Sequence, residues 1–341
     1  MISFENDYVE GAHPRILQKL AETNLEQMEG YCEDIYCKSA REKIRQVCAC
    51  PEAEVYFLMG GTQTNKVVID SMLQIYEGVV SAQTGHVNMH ESGAIESTGR
   101  KVLPILQHGG KIEAQDLEAY LEGFYSDVSH EHMVFPGMAY ISQPTEYGTL
   151  YKRSELKEIY EVCRRWKIPL FIDGARLIYG LASREADFTL ADIAKYSDVF
   201  YIGGTKAGAL CGEAVVFTKK NAPEHFISMV KRQGALLAKG RLLGIQFDVL
   251  FSDGLYLEIG KNAADRAEQM RSVIQKKGYS FFVDSPTNQQ FLLVENRTVE
   301  ELKQRVRFSV WEKPDDHHTV IRFVTSWATT EEQIEMLEEL L

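Results

Sequence analysis

Asp198-Val199-Phe200-Tyr201-Ile202-Gly203-Gly204-Thr205-Lys206-Ala207-Gly208 is the stretch on which the fold turns. Its apolar run, Val199 to Ile202, stops at two glycines, a hydroxyl and a lysine. Such a run reads as a buried strand with a turn at its carboxyl end. Open α/β sheets bind ligands in the crevice outside the carboxyl ends of their strands. A lysine held there loses hydration, its pKa falls, and its amine becomes a nucleophile toward an aldehyde. The glycines let a flat ligand approach the backbone.

Pro169-Leu170-Phe171-Ile172-Asp173-Gly174-Ala175-Arg176 is a second buried strand, and it ends in a carboxylate. Asp173 and Lys206 are separated by about one βαβ unit, so both can lie on the same sheet edge. A strand-end lysine and a strand-end aspartate fit pyridoxal 5'-phosphate (PLP). The lysine condenses with the cofactor aldehyde, and the aspartate keeps the pyridine nitrogen protonated so that the ring accepts electrons. A third strand, Glu54 to Met59, runs into Gly60-Gly61-Thr62-Gln63-Thr64-Asn65 and a helix through Leu73. Strand, glycines and a helix N-terminus make a phosphate cradle of backbone N–H groups, with Gly61, Thr62 and Gln63 as its candidates. No Gly-Lys-Ser/Thr follows, so this is not a Walker loop, and no dinucleotide glycine fingerprint is present.

Phe-Ile-Asp-Gly-Ala-Arg (171–176), Gly-Gly-Thr-Gln-Thr-Asn (60–65), Gly-Gly-Thr-Lys (203–206) and Ile-Arg-Phe-Val-Thr (321–325) occur in an order that resembles the threonine aldolase family, fold-type I PLP enzymes of the β-eliminating lyase group. The resemblance runs from about residue 4 to 341. It implies an α/β fold: a three-layer, aspartate aminotransferase-like large domain with a mixed, mostly parallel sheet, plus a small C-terminal α+β domain. The division expected is an N-terminal segment 1–12 reaching the active site, a large domain 13–248 and a small domain 249–341.

The resemblance also implies roles. His86, in Thr84-Gly85-His86, matches a histidine whose imidazole lies flat on the pyridine ring; His90 is a second candidate by position. Thr205 falls in the cofactor-binding stretch. Tyr36, in Glu33-Asp34-Ile35-Tyr36, matches a tyrosine that approaches the cofactor phosphate of a neighbouring subunit. Arg241 fits an arginine that contacts that phosphate, with Arg232 and Lys231 as looser matches. Arg322 and Arg176 would hold the substrate α-carboxylate, since a guanidinium fork fits a carboxylate with two parallel hydrogen bonds. Asn6 would help from a place where the family often has serine. Gln143-Pro144-Thr145-Glu146-Tyr147-Gly148 replaces the family's Glu-Asn-Thr-His-Asn-Gly, so Glu146, or Tyr147 with a one-residue shift, stands where a histidine lies near the substrate hydroxyl.

Composition limits the alternatives. The chain has 341 residues and a formal net charge of −12, with no long basic run, which disfavours a nucleic-acid partner. Six cysteines lack a disulfide ladder or a zinc spacing, and His130-Glu131-His132 lacks further ligands, so no metal is expected. The first 14 residues carry Glu5, Asp7 and Glu10 and no apolar leader core, and no run reaches the roughly 18 apolar residues of a membrane span. A cytoplasmic enzyme is expected, as a homodimer or homotetramer by resemblance. After residue 250 helical patterns alternate with short strands, and Thr330-x-x-Gln333 caps a last helix.

The chemistry expected is cleavage of a β-hydroxy-α-amino acid of threonine or allo-threonine type to glycine and an aldehyde. His86, Glu146 or an ordered water could take the β-hydroxyl proton. A PLP-dependent aminotransferase, a β-eliminating lyase on another amino acid, and a PLP-binding protein without turnover are the alternatives.

Overall fold

A computed structural model describes residues 1–341. Seven strands form the central sheet: β1 (Glu54–Leu58), β2 (Glu77–Ala82), β3 (Lys101–Ile105), β4 (Phe135–Ser142), β5 (Leu170–Asp173), β6 (Val199–Gly203) and β7 (Glu213–Phe217). Their spatial order is β1-β7-β6-β5-β4-β2-β3. Five neighbours from β6 to β3 run parallel, whereas β7 is antiparallel to both β6 and β1.

Both faces of the sheet are covered, which is why its strands read as nearly continuous apolar runs. Successive residues of β6 alternate between two cores. Phe200 and Ile202 enter a cluster with the helices Ile35–Val47, Arg153–Trp166 and Arg241–Leu250, and Val199 and Tyr201 enter one with the helix Gly61–Met72. The result is the three-layer α/β arrangement expected from the sequence. The helix Arg153–Trp166 returns the chain from β4 to β5, the crossover that a parallel pair requires.

The small domain is a four-stranded antiparallel sheet: β8 (Ser280–Val283), β9 (Gln289–Glu295), β10 (Ser309–Glu312) and β11 (His318–Val324), ordered β10-β11-β9-β8. Thr330 and Gln333 form the expected reciprocal cap on the helix Glu331–Leu340. The 22-residue helix Leu255–Lys276 is shared: Leu255, Tyr256, Ile259 and Ala263 lie in the large core, and Met270, Val273 and Ile274 in the small one. The boundary expected at 248/249 falls inside the helix Arg241–Leu250 of the large core, and the next helix belongs to both domains. Residues 1–12 are likewise tied down. Ile2–Ser3 pairs parallel with Val306–Arg307, and Phe4 is buried against the small-domain core.

Two glycines bring the ends of β5 and β6 together. A Cβ on Gly203 would run into the Ala175 carbonyl, and one on Gly174 would run into the Tyr201 carbonyl. Both obstacles are backbone, so neither can step aside. Gly203→Ala is expected to destabilise the protein by roughly 2–3 kcal/mol, as overpacking does. A thermal midpoint equal to that of the unaltered protein would refute this.

Candidate active site

The strand ends converge on one cavity of about 410 Å³. Its walls come from the ends of the strands and the segments that follow them: β1 (Gly60 to Thr62), β2 (His86, His90), β4 (Ser142, Pro144 to Glu146), β5 (Asp173, Ala175, Arg176) and β6 (Thr205, Lys206). Glu213 joins them from the start of β7. Because β7 runs opposite to its neighbours, its amino end lies beside the carboxyl ends of the others; Glu213 pairs in register with Gly203 on one side and Leu58 on the other.

Asp173 lies at the floor of the site. Its Oδ1 accepts hydrogen bonds from the Tyr201 hydroxyl at 2.6 Å and the Ala175 N–H at 2.9 Å. Its Oδ2 accepts from the Tyr140 hydroxyl at 2.6 Å and Asn65 Nδ2 at 3.0 Å. Burial alone would raise this carboxyl's pKa. The positive potential of His86 and the donors Tyr140, Tyr201 and Ala175 outweigh it and hold the carboxyl below the usual aspartate range. Asp173 is therefore an anion fixed in place by four donors. Asn65 also donates to Glu91 Oε1 at 2.9 Å, and that oxygen lies 2.7 Å from His86 Nδ1. The imidazole is thus oriented from behind by a buried carboxylate.

Lys206 lies in the turn after β6, half-buried and facing the cavity. Burial, with the Arg176 guanidinium next, pushes its ammonium below the usual lysine range. Thr205 donates its hydroxyl proton to Glu213 Oε1 at 2.7 Å, and the Gly204 N–H donates to Oε2 at 3.1 Å. Burial lifts the Glu213 carboxyl to about 8. A carboxyl whose folded pKa is raised stays protonated where the unfolded chain has already ionised. Stability therefore falls as pH climbs from about 4.5 to about 8. Denaturant titrations of the Glu213→Gln protein should show a flatter pH dependence across that window. An unchanged slope would exclude Glu213 as its source.

Arg176 is clamped by Asp7 through two parallel bonds, Nε to Oδ2 at 2.7 Å and Nη2 to Oδ1 at 3.0 Å. Asn288 Nδ2 adds a third donor to this buried carboxylate at 3.0 Å. Asp7 is held below the usual range because Arg176 and Lys206, together with the bonds from Arg176 and Asn288, outweigh its burial. The Arg176 fork toward Asp7 is full, and Nη1 makes no hydrogen bond within the chain.

The expected site residues thus separate into two groups. Lys206, Asp173, His86, Glu146, Gly61, Thr62, Thr205 and Arg176 line the cavity, and His90, the second histidine candidate, lies there too. Five others do not line it. Gln63 turns back to accept the Met59 N–H at 3.1 Å. Asn6 accepts the Tyr8 N–H at 3.0 Å, and its neighbours Asp7 and Tyr8 are the ones that reach the site. Arg322 bonds Gln289 Oε1 at 3.0 Å and Ser309 Oγ at 3.3 Å, stacks on Trp311, and is lowered to about 10 by burial and by Arg176. Its Nε is buried without a partner. Tyr36 and Arg241 meet at another place. The tyrosine hydroxyl donates to the Glu26 carboxylate at 3.0 Å, and the guanidinium donates to the carbonyls of Glu26 at 2.6 Å and Asn24 at 2.9 Å.

Sequence reading missed Asp7, Asn65, Glu91, Tyr140, Tyr201 and Glu213. A signal existed for the two tyrosines: each interrupts an aliphatic buried strand two residues before its end, where a hydroxyl needs a partner.

PLP fits these residues. The helix Gly61–Met72 begins without a side-chain cap at Gly60, so the N–H groups of its first turn lack a side-chain acceptor where its N-terminus opens on the cavity. That is a place for a phosphate. An amine, a fixed carboxylate and an imidazole face are in the same cavity.

A family model described as Beta-eliminating lyase matches residues 4–297. The structure of Leishmania major threonine aldolase is 40% identical, covers 100% of this chain and 98% of its own, and superposes with a TM-score of 0.95. A low specificity L-threonine aldolase from Pseudomonas sp. (strain NCIMB 10558) is 29% identical over 98% of this chain and 95% of its own length. A mutant of Thermus thermophilus aspartate aminotransferase, 13% identical with a TM-score of 0.72 over 100% of this chain and 92% of that one, shares the fold. In sequence and in three dimensions alike, the chain belongs to the beta-eliminating lyase family, on an aspartate aminotransferase-like scaffold.

Proposed function

We propose that this protein is a PLP-dependent aldolase that cleaves a β-hydroxy-α-amino acid of threonine or allo-threonine type to glycine and an aldehyde. The observation that carries the reading is the presence of Lys206 and Asp173 in one cavity with an uncapped helix N-terminus. When bound, the cofactor supplies an aldehyde for the lysine amine and a ring that accepts the electron pair of a bond broken at Cα. The chain's own residues do the rest. N–H groups of Gly61 and Thr62 receive the phosphate. Asp173 holds a proton at the pyridine nitrogen, and its four donors keep it ionised for that task. His86 offers a planar face oriented by Glu91. Arg176, steadied by Asp7, presents Nη1 to the substrate carboxylate. Lys206 moves the proton at Cα, a role suited to an amine whose pKa is lowered.

The names of the relatives support the same substrate class. Arg322 stays a candidate for the carboxylate by resemblance alone, since it does not line the cavity and its unpartnered Nε is enclosed. Tyr36 and Arg241 are read as serving a neighbouring subunit's phosphate in a homodimer or homotetramer. They share one region with the exposed apolar residues Leu25, Tyr31 and Ile35. A cytoplasmic enzyme agrees with six thiols, none paired with another. No helix is long and apolar enough to cross a membrane.

The test is incubation of the PLP-loaded protein with L-threonine and L-allo-threonine. Aldehyde and glycine in equal amounts are expected. A keto acid with pyridoxamine phosphate would replace this reading with transamination. No spectral change with any amino acid would replace it with binding alone.

A further inference from the structure

Three carboxylates with side chains in the cavity differ in what their oxygens already do. Both oxygens of Asp173 are taken by its four donors, and both oxygens of Glu213 are taken by Thr205 and Gly204. Glu146 is different. Its Oε1 accepts the Ser142 hydroxyl at 2.6 Å and the His86 backbone N–H at 2.9 Å, while Oε2 receives nothing from the chain. Nor is Oε2 among the enclosed polar atoms left without a partner, and Glu146 lines the cavity. One oxygen is anchored at two points and the other is presented to the ligand.

The rival bases are otherwise engaged. His86 has Nδ1 tied to Glu91 and Nε2 unbonded within the chain, but its ring is assigned to stacking on the cofactor. Lys206 and Asp173 are assigned to the cofactor. His90 lies farther along the wall, 5.7 Å from the His86 ring and 5.9 Å from Trp311, centroid to centroid.

We infer that Glu146 Oε2 is the acceptor of the substrate β-hydroxyl proton, and that Ser142 is a positioning residue which holds the carboxylate with its free oxygen facing the substrate. The inference rests on the aldolase reading above. In the step, the O–H proton passes to Oε2 and the O–H electron pair becomes the second C–O bond of the aldehyde. The Cα–Cβ pair is left at Cα, whose charge the cofactor ring accommodates. Lys206 then delivers a proton to Cα and is reprotonated from water, to which Glu146 has released its own, so the proton count closes.

The electrostatics suit a proton acceptor. Burial raises the Glu146 carboxyl above its ordinary range and Asp173 adds to this, while Ser142 and His86 pull it back. The other titratable groups that face it are the hydroxyls of Tyr140, Tyr147 and Tyr151, each pushed up by burial. Since the ionised carboxylate is the active form, kcat/KM should rise with pH on the acid side. Removing the Ser142 donor, which favours the ionised form, should move that limb to higher pH.

The experiment compares wild type, Glu146→Gln and Ser142→Ala with three readouts. Carboxyl-carbon NMR of protein labelled at glutamate Cδ, without cofactor, follows Glu146 itself; its signal is the one absent from Glu146→Gln. Its midpoint should rise in Ser142→Ala. With PLP loaded, L-threonine cleavage is set beside exchange of the glycine α-proton in D2O, which needs the cofactor and Lys206 but has no β-hydroxyl. Glu146→Gln should lower cleavage about 10²–10⁴-fold, and at least ~100-fold more than it lowers exchange. The inference fails if cleavage and exchange fall together, if cleavage survives within about threefold, or if neither the NMR midpoint nor the acid limb moves in Ser142→Ala. Failure of the aldolase reading is distinguishable, because it appears in wild type as exchange without cleavage of any β-hydroxy amino acid.

Discussion

Lys206→Ala should abolish covalent attachment of PLP and lower cleavage by at least about 10⁴-fold, the scale on which removal of a covalent catalyst acts. The amine does two things that no neighbour can take over. It is the only lysine lining the cavity, and its ammonium is weakened by burial and by the Arg176 charge, so it attacks an aldehyde and yields a proton more readily than a surface lysine would. The check is the visible absorption of the cofactor-loaded protein, followed by borohydride treatment and mass analysis. Wild type should gain a cofactor-sized adduct on the peptide holding Lys206, and the alanine protein should gain none. An adduct on another lysine at full activity would remove Lys206 from the reaction.

Asp173→Asn should follow with a loss of roughly 10³-fold in kcat, within the usual span for a misplaced acid–base group. The substitution preserves shape but not charge, and an amide cannot hold a proton on a pyridine nitrogen. It also disturbs the floor of the site. The carboxylate accepts from Tyr201 and Ala175 on one oxygen and from Tyr140 and Asn65 on the other. An amide NH₂ must face one of these pairs. The tyrosine hydroxyls can rotate to accept, but the Ala175 N–H in one orientation, or Asn65 Nδ2 in the other, loses its acceptor, and an unpaired buried donor costs about 1–3 kcal/mol. Lower PLP affinity and a lower thermal midpoint should therefore accompany the loss of rate. A variant retaining more than a tenth of wild-type kcat would show that the pyridine nitrogen needs no anion here.

The aspartate and the lysine were legible because each closes an apolar run, and a strand's end is written in sequence order. The same rule could not find Glu213. It opens a strand, and only the antiparallel entry of β7 carries that opening to the reactive edge. Asp7, and not the adjacent Asn6, reaches the site because the register of the N-terminal segment depends on its pairing with Val306–Arg307, about 300 positions away. Tyr36 and Arg241 were placed near a phosphate by resemblance; within one chain they converge on Glu26.

The features legible along the chain are local and periodic: buried strands, their terminal glycines, the cap at Thr330, and the residues that meet at the carboxyl edge of a parallel sheet. Those follow from hydrophobic patterning and backbone sterics, which act over a few residues. The state of each polar group is set by folding instead. Asp173 is held as an anion, the Arg176 fork is filled by Asp7, and Glu146 keeps one free oxygen, because in a buried site the number of donors around a carboxylate fixes its charge and its availability. Those donors come from strands, turns and a chain terminus that are adjacent only after folding.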